Sequence, residues 1–160
     1  MTRFAAAPLT LIVFSLGLVA CGGGDGGGGG APSKAAFASN ASKICKSAED
    51  KLKDVGQDAN TPDEIAAAVD KVIAETQHSV DKLKSLKRPE GDAGKAAQEF
   101  VDALQSDVED KGIPALEDLR DALKKNDEQA ARKAAESIKS LENTNSDDLA
   151  RALGAKACAS

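Results

Sequence analysis

The sequence predicts an all-α protein, an antiparallel four-helix bundle with a kinked third helix, closed by one disulfide. Three observations predict it. Apolar residues recur at spacings of three and four through residues 34–160, and no stretch shows the period-two alternation and β-branched enrichment of a strand. Helix-start signals stand at Thr61-Pro62-Asp63-Glu64 and Asn126-Asp127-Glu128-Gln129. In an up-down-up-down path the first and last segments meet, which is where Cys45 and Cys158 fall.

The first helix is expected from Ser33 to Val55, because Phe37, Ala41, Ile44, Cys45, Ala48, Leu52 and Val55 share one stripe; Gly56 ends it. The second opens at a capping box with Thr61 as N-cap, Pro62 in the first turn and Glu64 reaching back. It turns Ile65, Val69, Val72, Ile73, Thr76, Val80, Leu83 and Leu86 inward and stops before Arg88-Pro89.

Glu90 and Asp92 favour the start of a third helix, since carboxylates complement a helix N-terminus. Its stripe is Ala93, Ala97, Phe100, Val101, Leu104 and Val108, resuming as Leu116, Leu119 and Leu123. Between the two halves, Gly112-Ile113-Pro114 should kink or split the helix, because proline lacks the amide donor and clashes with the carbonyl four residues back. A groove opened at this break is the one place where a ligand or partner helix is expected.

The fourth helix follows Asn126-Asp127 with Ala131, Ala134, Ala135, Ile138 and Leu141 on its inner face. Residues 143–148 have poor helix propensity, but Leu141, Asn145, Leu149 and Leu153 keep a spacing of four. That spacing predicts one helix ending at Gly154, with a tail from Ala155 that returns Cys158 toward Cys45.

Ahead of this domain, residues 1–20 read as a signal peptide: Arg3 gives a thin positive region and Leu9–Leu18 an apolar run too short to span a bilayer. The run ends in Leu18-Val19-Ala20-Cys21, which matches a lipobox, and on these residues the chain resembles bacterial lipoproteins. The resemblance implies cleavage after Ala20 and diacylglyceryl transfer to the Cys21 thiol, often with a further acyl group such as palmitate on the freed amine. Each buried methylene contributes about 0.8 kcal/mol, so two or three chains hold firmly where one is marginal. The competing reading is ordinary secretion with Cys21 as a disulfide partner. Residues 21–33 then form the lipidated cysteine and a glycine-rich tether of about 20 Å, and residues 34–160 the helical bundle domain.

A narrower resemblance covers the folded region. Phe37 with Ile44-Cys45, and Leu153-Gly154 with Cys158, are similar to the first-helix and C-terminal patterns of small uncharacterised helical lipoproteins of high-G+C Gram-positive-type bacteria. It supports the helices and the disulfide and implies no activity.

The formal net charge is −5, and loss of Arg3 with the signal peptide makes the chain more acidic still. With no Trp or Tyr and no basic stripe, the composition argues against nucleic acid and against adhesion to anionic lipid through a basic patch. With Cys21 lipidated, an even pair remains, and in an exported domain it is most simply a disulfide. Two separate thiols, or a redox or metal pair, are the alternatives.

No catalytic residue, metal site or cofactor is expected. His78 is the sole histidine and reads as a surface or packing residue. With Glu75 it offers half of a di-iron motif at most, and Glu109-Asp110 and Asp147-Asp148 lack the calcium-loop pattern. The alanine-rich inner faces favour close helix approach over a roomy pocket.

The expected function is therefore that of a lipid-anchored module on the extracytoplasmic face of a bacterial cell membrane. It would lack catalytic activity and act through an envelope protein partner or as an envelope structural component. The alternative is a small-ligand or metal-binding lipoprotein at the membrane surface; an extracytoplasmic enzyme or thiol redox protein ranks third.

Overall fold

Four helices of the computed structural model, which describes residues 30–141 and 144–159, begin where a side chain satisfies free backbone amides. The expected signal peptide, Leu18-Val19-Ala20 of the lipobox, Cys21 and most of the tether lie outside the described residues. The contacts of residues 31–160 gather into one unit, and its architecture is as follows.

Helix α1 (Lys34–Leu52) starts at Ser33, whose hydroxyl accepts the Ala36 amide at 3.1 Å. It ends one turn before the expected Val55, and Gly56 (φ +81°) turns the chain in a conformation that disfavours a side chain. Helix α2 (Pro62–Ser85) carries the expected capping box. Thr61 Oγ1 accepts the Glu64 amide at 3.2 Å, and Glu64 Oε2 accepts the Asn60 and Thr61 amides at 2.9 and 3.0 Å.

The expected break at Gly112 and Pro114 takes another form. Helix α3 (Gly91–Gln105) passes into a π-helical segment (Ser106–Gly112) and on into α4 (Ile113–Lys124). The backbone stays right-handed helical throughout the junction, and the Ile113 amide donates to the Val108 carbonyl five residues back. Pro114 has no amide to give to Asp110, so an α-helical ladder would be interrupted here in any case. A π turn absorbs one extra residue and sets Val108 and Ile113, five apart, on the same face. Both belong to the core, Ile113 buried and Val108 packed against it.

The fourth helix is also corrected, because two helices stand in its place. Helix α5 (Glu128–Lys139) starts at Asp127, whose carboxylate accepts the Ala130 amide at 3.0 Å, as the cap signal predicts. Helix α6 (Asn145–Leu153) begins anew at Thr144, whose amide donates to Asp147 Oδ2 at 2.8 Å. A local cap thus outweighs the weak apolar spacing, and Asn145 is exposed. The fold is all-α; with α3, the π segment and α4 counted as one rod, five helices form among the described residues instead of a simple four-helix bundle.

The interior has two apolar clusters. One joins Phe37, Ala38 and Ala41 of α1, Leu83 of α2, Ala97, Phe100 and Val101 of α3, and Ala150, Leu153 and Ala155 at the C-terminal end. The other joins Val69 and Ile73 of α2 to Ile113, with Val108, Leu116, Leu119 and Leu123 against them. Ile65, expected inward, is 36% exposed, while Ala66 beside it is fully buried. The buried stripe of α2 runs through Ala66, Val69 and Ile73, so Ile65 falls to its edge. On α5, Ala134 is buried and Ala135 exposed, since that helix packs chiefly on α4 and one edge of its apolar face is covered.

Candidate functional site

The elements with the most unusual chemistry converge on the start of α6. The π segment presents Asp107, whose side chain is 13% exposed and whose Oδ1 accepts from Lys111 Nζ at 2.7 Å. Thr144 and Ser146 approach from α6, their hydroxyls 2.8 Å apart, and Asp147 beside them is 5% exposed. Burial pushes the Asp107 carboxyl upward. The hydrogen bond from Lys111, the hydroxyls of Ser146 and Thr144 and the Lys111 charge outweigh it, so its pKa lies below the ordinary value of 3.8. Oδ2 has no hydrogen bond of full geometry. Asp107 of the π segment thus stands beside Thr144 and Ser146 at the start of α6.

A second polar feature closes the other end. Arg88, just past α2, donates from Nη1 to the carbonyls of Leu83 (3.1 Å) and Leu86, and from Nη2 to that of Lys84 (3.4 Å). These carbonyls lie where the helical amide ladder runs out, and that of Leu83 also accepts the Leu86 amide at 3.3 Å. Its guanidinium also stands 5.5 Å from the centroid of the Phe37 ring. Burial lowers its pKa and the Asp102 charge opposes this, which leaves an arginine charged at any physiological pH.

Cys45 and Cys158 are joined, with S–S 2.05 Å and Cα atoms 5.2 Å apart. The path that brings them together runs along α1: Lys34 Nζ donates to the Ala152 carbonyl at 3.0 Å, Gly154 (φ +88°) turns beside Ala38, and Cys158 Sγ lies 3.4 Å from the Ala41 carbonyl oxygen. The open alternatives of separate thiols or a metal pair give way to a disulfide across a sequence separation of 113 residues.

Gly112 and Pro114 sit at the π-to-α junction, and Pro114 is exposed. Gly112 faces Leu141 at the end of α5, so a side chain lies against the junction where a groove was expected. His78 is exposed, and Glu75 binds Lys51 at 2.8 Å. Glu109 pairs with Lys84 at 3.6 Å, and Asp110 accepts from Ser106 at 2.7 Å. Among the described residues, no group of three or more His, Cys, Asp or Glu is placed to hold a metal ion. None of their helices is long and apolar enough to cross a membrane.

The sequence reading missed Arg88, Asp107, Thr144, Ser146 and Asp147. For the last three a signal existed, since Thr144-Asn145-Ser146-Asp147 has the spacing of a capping box. Arg88 caps carbonyls within five residues and Asp107 pairs with Lys111 four residues on, but nothing local points Arg88 to Phe37 or Asp107 to the start of α6. The arrangement joins neighbouring helices. Comparison with protein-family models, curated proteins and solved structures finds no match for this chain.

Proposed function

We propose that this chain is a lipid-anchored, extracytoplasmic helical module of a bacterial envelope, without catalytic activity, that acts by protein interaction or as an envelope structural component. The observation that carries the reading is the sequence Leu18-Val19-Ala20-Cys21 at the end of a short apolar run, followed at once by glycines. The signal peptide ends at Ala20, Cys21 carries the acyl chains, residues 21–33 are the tether and residues 34–160 the displayed domain. The Cys45–Cys158 disulfide supports it, since such bonds persist in oxidising, extracytoplasmic compartments. The five helices vary an antiparallel four-rod plan in which α5 and α6 share the fourth place.

The test is metabolic labelling with radioactive palmitate in a bacterial host, with the intact mass of the mature protein. The reading requires label and a mass starting at Cys21 plus acyl groups, both lost in Cys21→Ser. An unlabelled protein, or one cleaved elsewhere, removes the anchor and with it the localisation.

A further inference from the structure

We infer that the C-terminal segment Thr144–Ala159 is a redox-sensitive strap: the Cys45–Cys158 disulfide holds it over the Phe37–Phe100 cluster, and reduction releases it while the other helices stay folded. The inference is independent of the lipid anchor.

Helix α6 is nine residues long, shorter than the roughly 12–15 at which an isolated helix becomes even marginal in water. It must be held by what it touches. Its contacts are chiefly with α3, then with α1 and the 3-10 turn (Lys156–Cys158) that carries the disulfide. Of the apolar groups it and the tail place against the cluster, Ala150, Leu153 and Ala155 are buried, while Leu149, Cys158 and Ala159 are only partly covered. The Thr144–Asp147 capping box secures its start, and the disulfide secures its end. Without the covalent closure, a thiol at Cys158 would keep the Ala41 carbonyl as a weak acceptor at 3.4 Å.

The rest of the molecule does not depend on this segment in the same way. The cluster of Val69, Ile73 and Ile113 contains no residue of the strap, and α4 packs closely on both α2 and α5. Opening the strap therefore removes one lid of one cluster. It uncovers Phe37, Ala41, Ala97, Phe100 and Val101, an apolar face that is closed in the oxidised protein. The chemistry is thiol–disulfide exchange with a dithiol reductant. The Cys45–Cys158 bond accepts two electrons and two protons to become two thiols, and the reductant becomes its own disulfide.

The test is amide hydrogen exchange by mass spectrometry on the full-length protein in detergent, before and after dithiothreitol, with intact mass confirming reduction. We expect peptides covering Thr144–Ala159 to lose at least tenfold in protection, while those of α2, α4 and α5 change less than twofold. The double variant Cys45→Ser/Cys158→Ser should match the reduced protein and ignore dithiothreitol. Unchanged protection in the reduced protein overturns the strap, as does a loss spread evenly over all helices. The wild-type comparison decides the matter even where the variant fails to accumulate.

Discussion

The guanidinium of Arg88 covers the Phe37 ring at 5.5 Å while its two terminal nitrogens satisfy the last carbonyls of α2. One side chain thus ties the end of α2 to the start of α1 and shields the larger apolar cluster. The cation–π contact contributes about 0.5–1 kcal/mol, and hydrogen bonds from a charged donor about 1.5–3 kcal/mol. Arg88→Ala should lower stability by about 2–3 kcal/mol in chemical denaturation. Arg88→Lys, which keeps the charge and loses the fork, should cost at least about 1 kcal/mol. Equal stability of Arg88→Lys and wild type would show that charge alone matters.

Two helical glycines should respond in opposite directions. A Cβ at Gly94 would sit inside the van der Waals envelope of the Pro89 carbonyl oxygen, a backbone atom that cannot swing aside. Gly94→Ala should destabilise by about 1–3 kcal/mol, as overpacking does. Gly112 has φ −65°, and a Cβ there would meet Asp107 O at 3.4 Å and Leu141 Cδ1 at 3.8 Å, ordinary contacts. Gly112→Ala should therefore gain up to about 1 kcal/mol in helix propensity. Thermal melts of the two variants check the contrast, and a stabilised Gly94→Ala would refute it.

Replacing Pro114 with alanine restores an amide donor at the π-to-α junction, at an exposed position where the ring packs little. A rise in melting temperature with a small gain in helicity is expected. The π segment should persist, because the five-residue step from Val108 to Ile113 is what buries Ile113. Unchanged melting and unchanged helicity would show that the proline carries no strain.

Acid should loosen the contact between the π segment and α6. Folding depresses the Asp107 pKa, so the charged carboxylate stabilises the fold fully above its ordinary value of 3.8, and this is lost as pH falls through the lower folded value. Stability should thus be insensitive to this group from neutral pH down to the ordinary value and decline below it. Asp107→Asn should flatten that part of the profile and weaken the protein near neutrality by about 1 kcal/mol, the worth of a charge-assisted hydrogen bond at a partly open site. Denaturation midpoints at several pH values, wild type against variant, provide the check; parallel profiles would remove Asp107 from the acid response.

Much of the helical skeleton is legible without coordinates because its causes are local. Ser33, Thr61-Glu64 and Asp127 start helices through bonds to amides within four residues, and each does so where the sequence placed it. The same local logic at Thr144-Asp147 divides α5 from α6 despite the four-residue spacing of Leu141, Asn145, Leu149 and Leu153. Periodicity and capping disagreed there, and the cap prevailed because its hydrogen bond forms at once, whereas Asn145 has nothing apolar to bury.

What the sequence by itself determined is the all-α class, most helix starts and the residues of the main apolar stripes, all consequences of interactions between near neighbours. Tertiary structure alone decided that the third rod widens into a π turn instead of kinking, that Arg88 finds Phe37, and that Asp107 meets Thr144 and Ser146. In each case the partners are brought together by packing across helices. Arg88 and Asp107 have local partners in the last carbonyls of α2 and in Lys111, but their reach to Phe37 and to α6 exists only once α1 and α6 stand beside them.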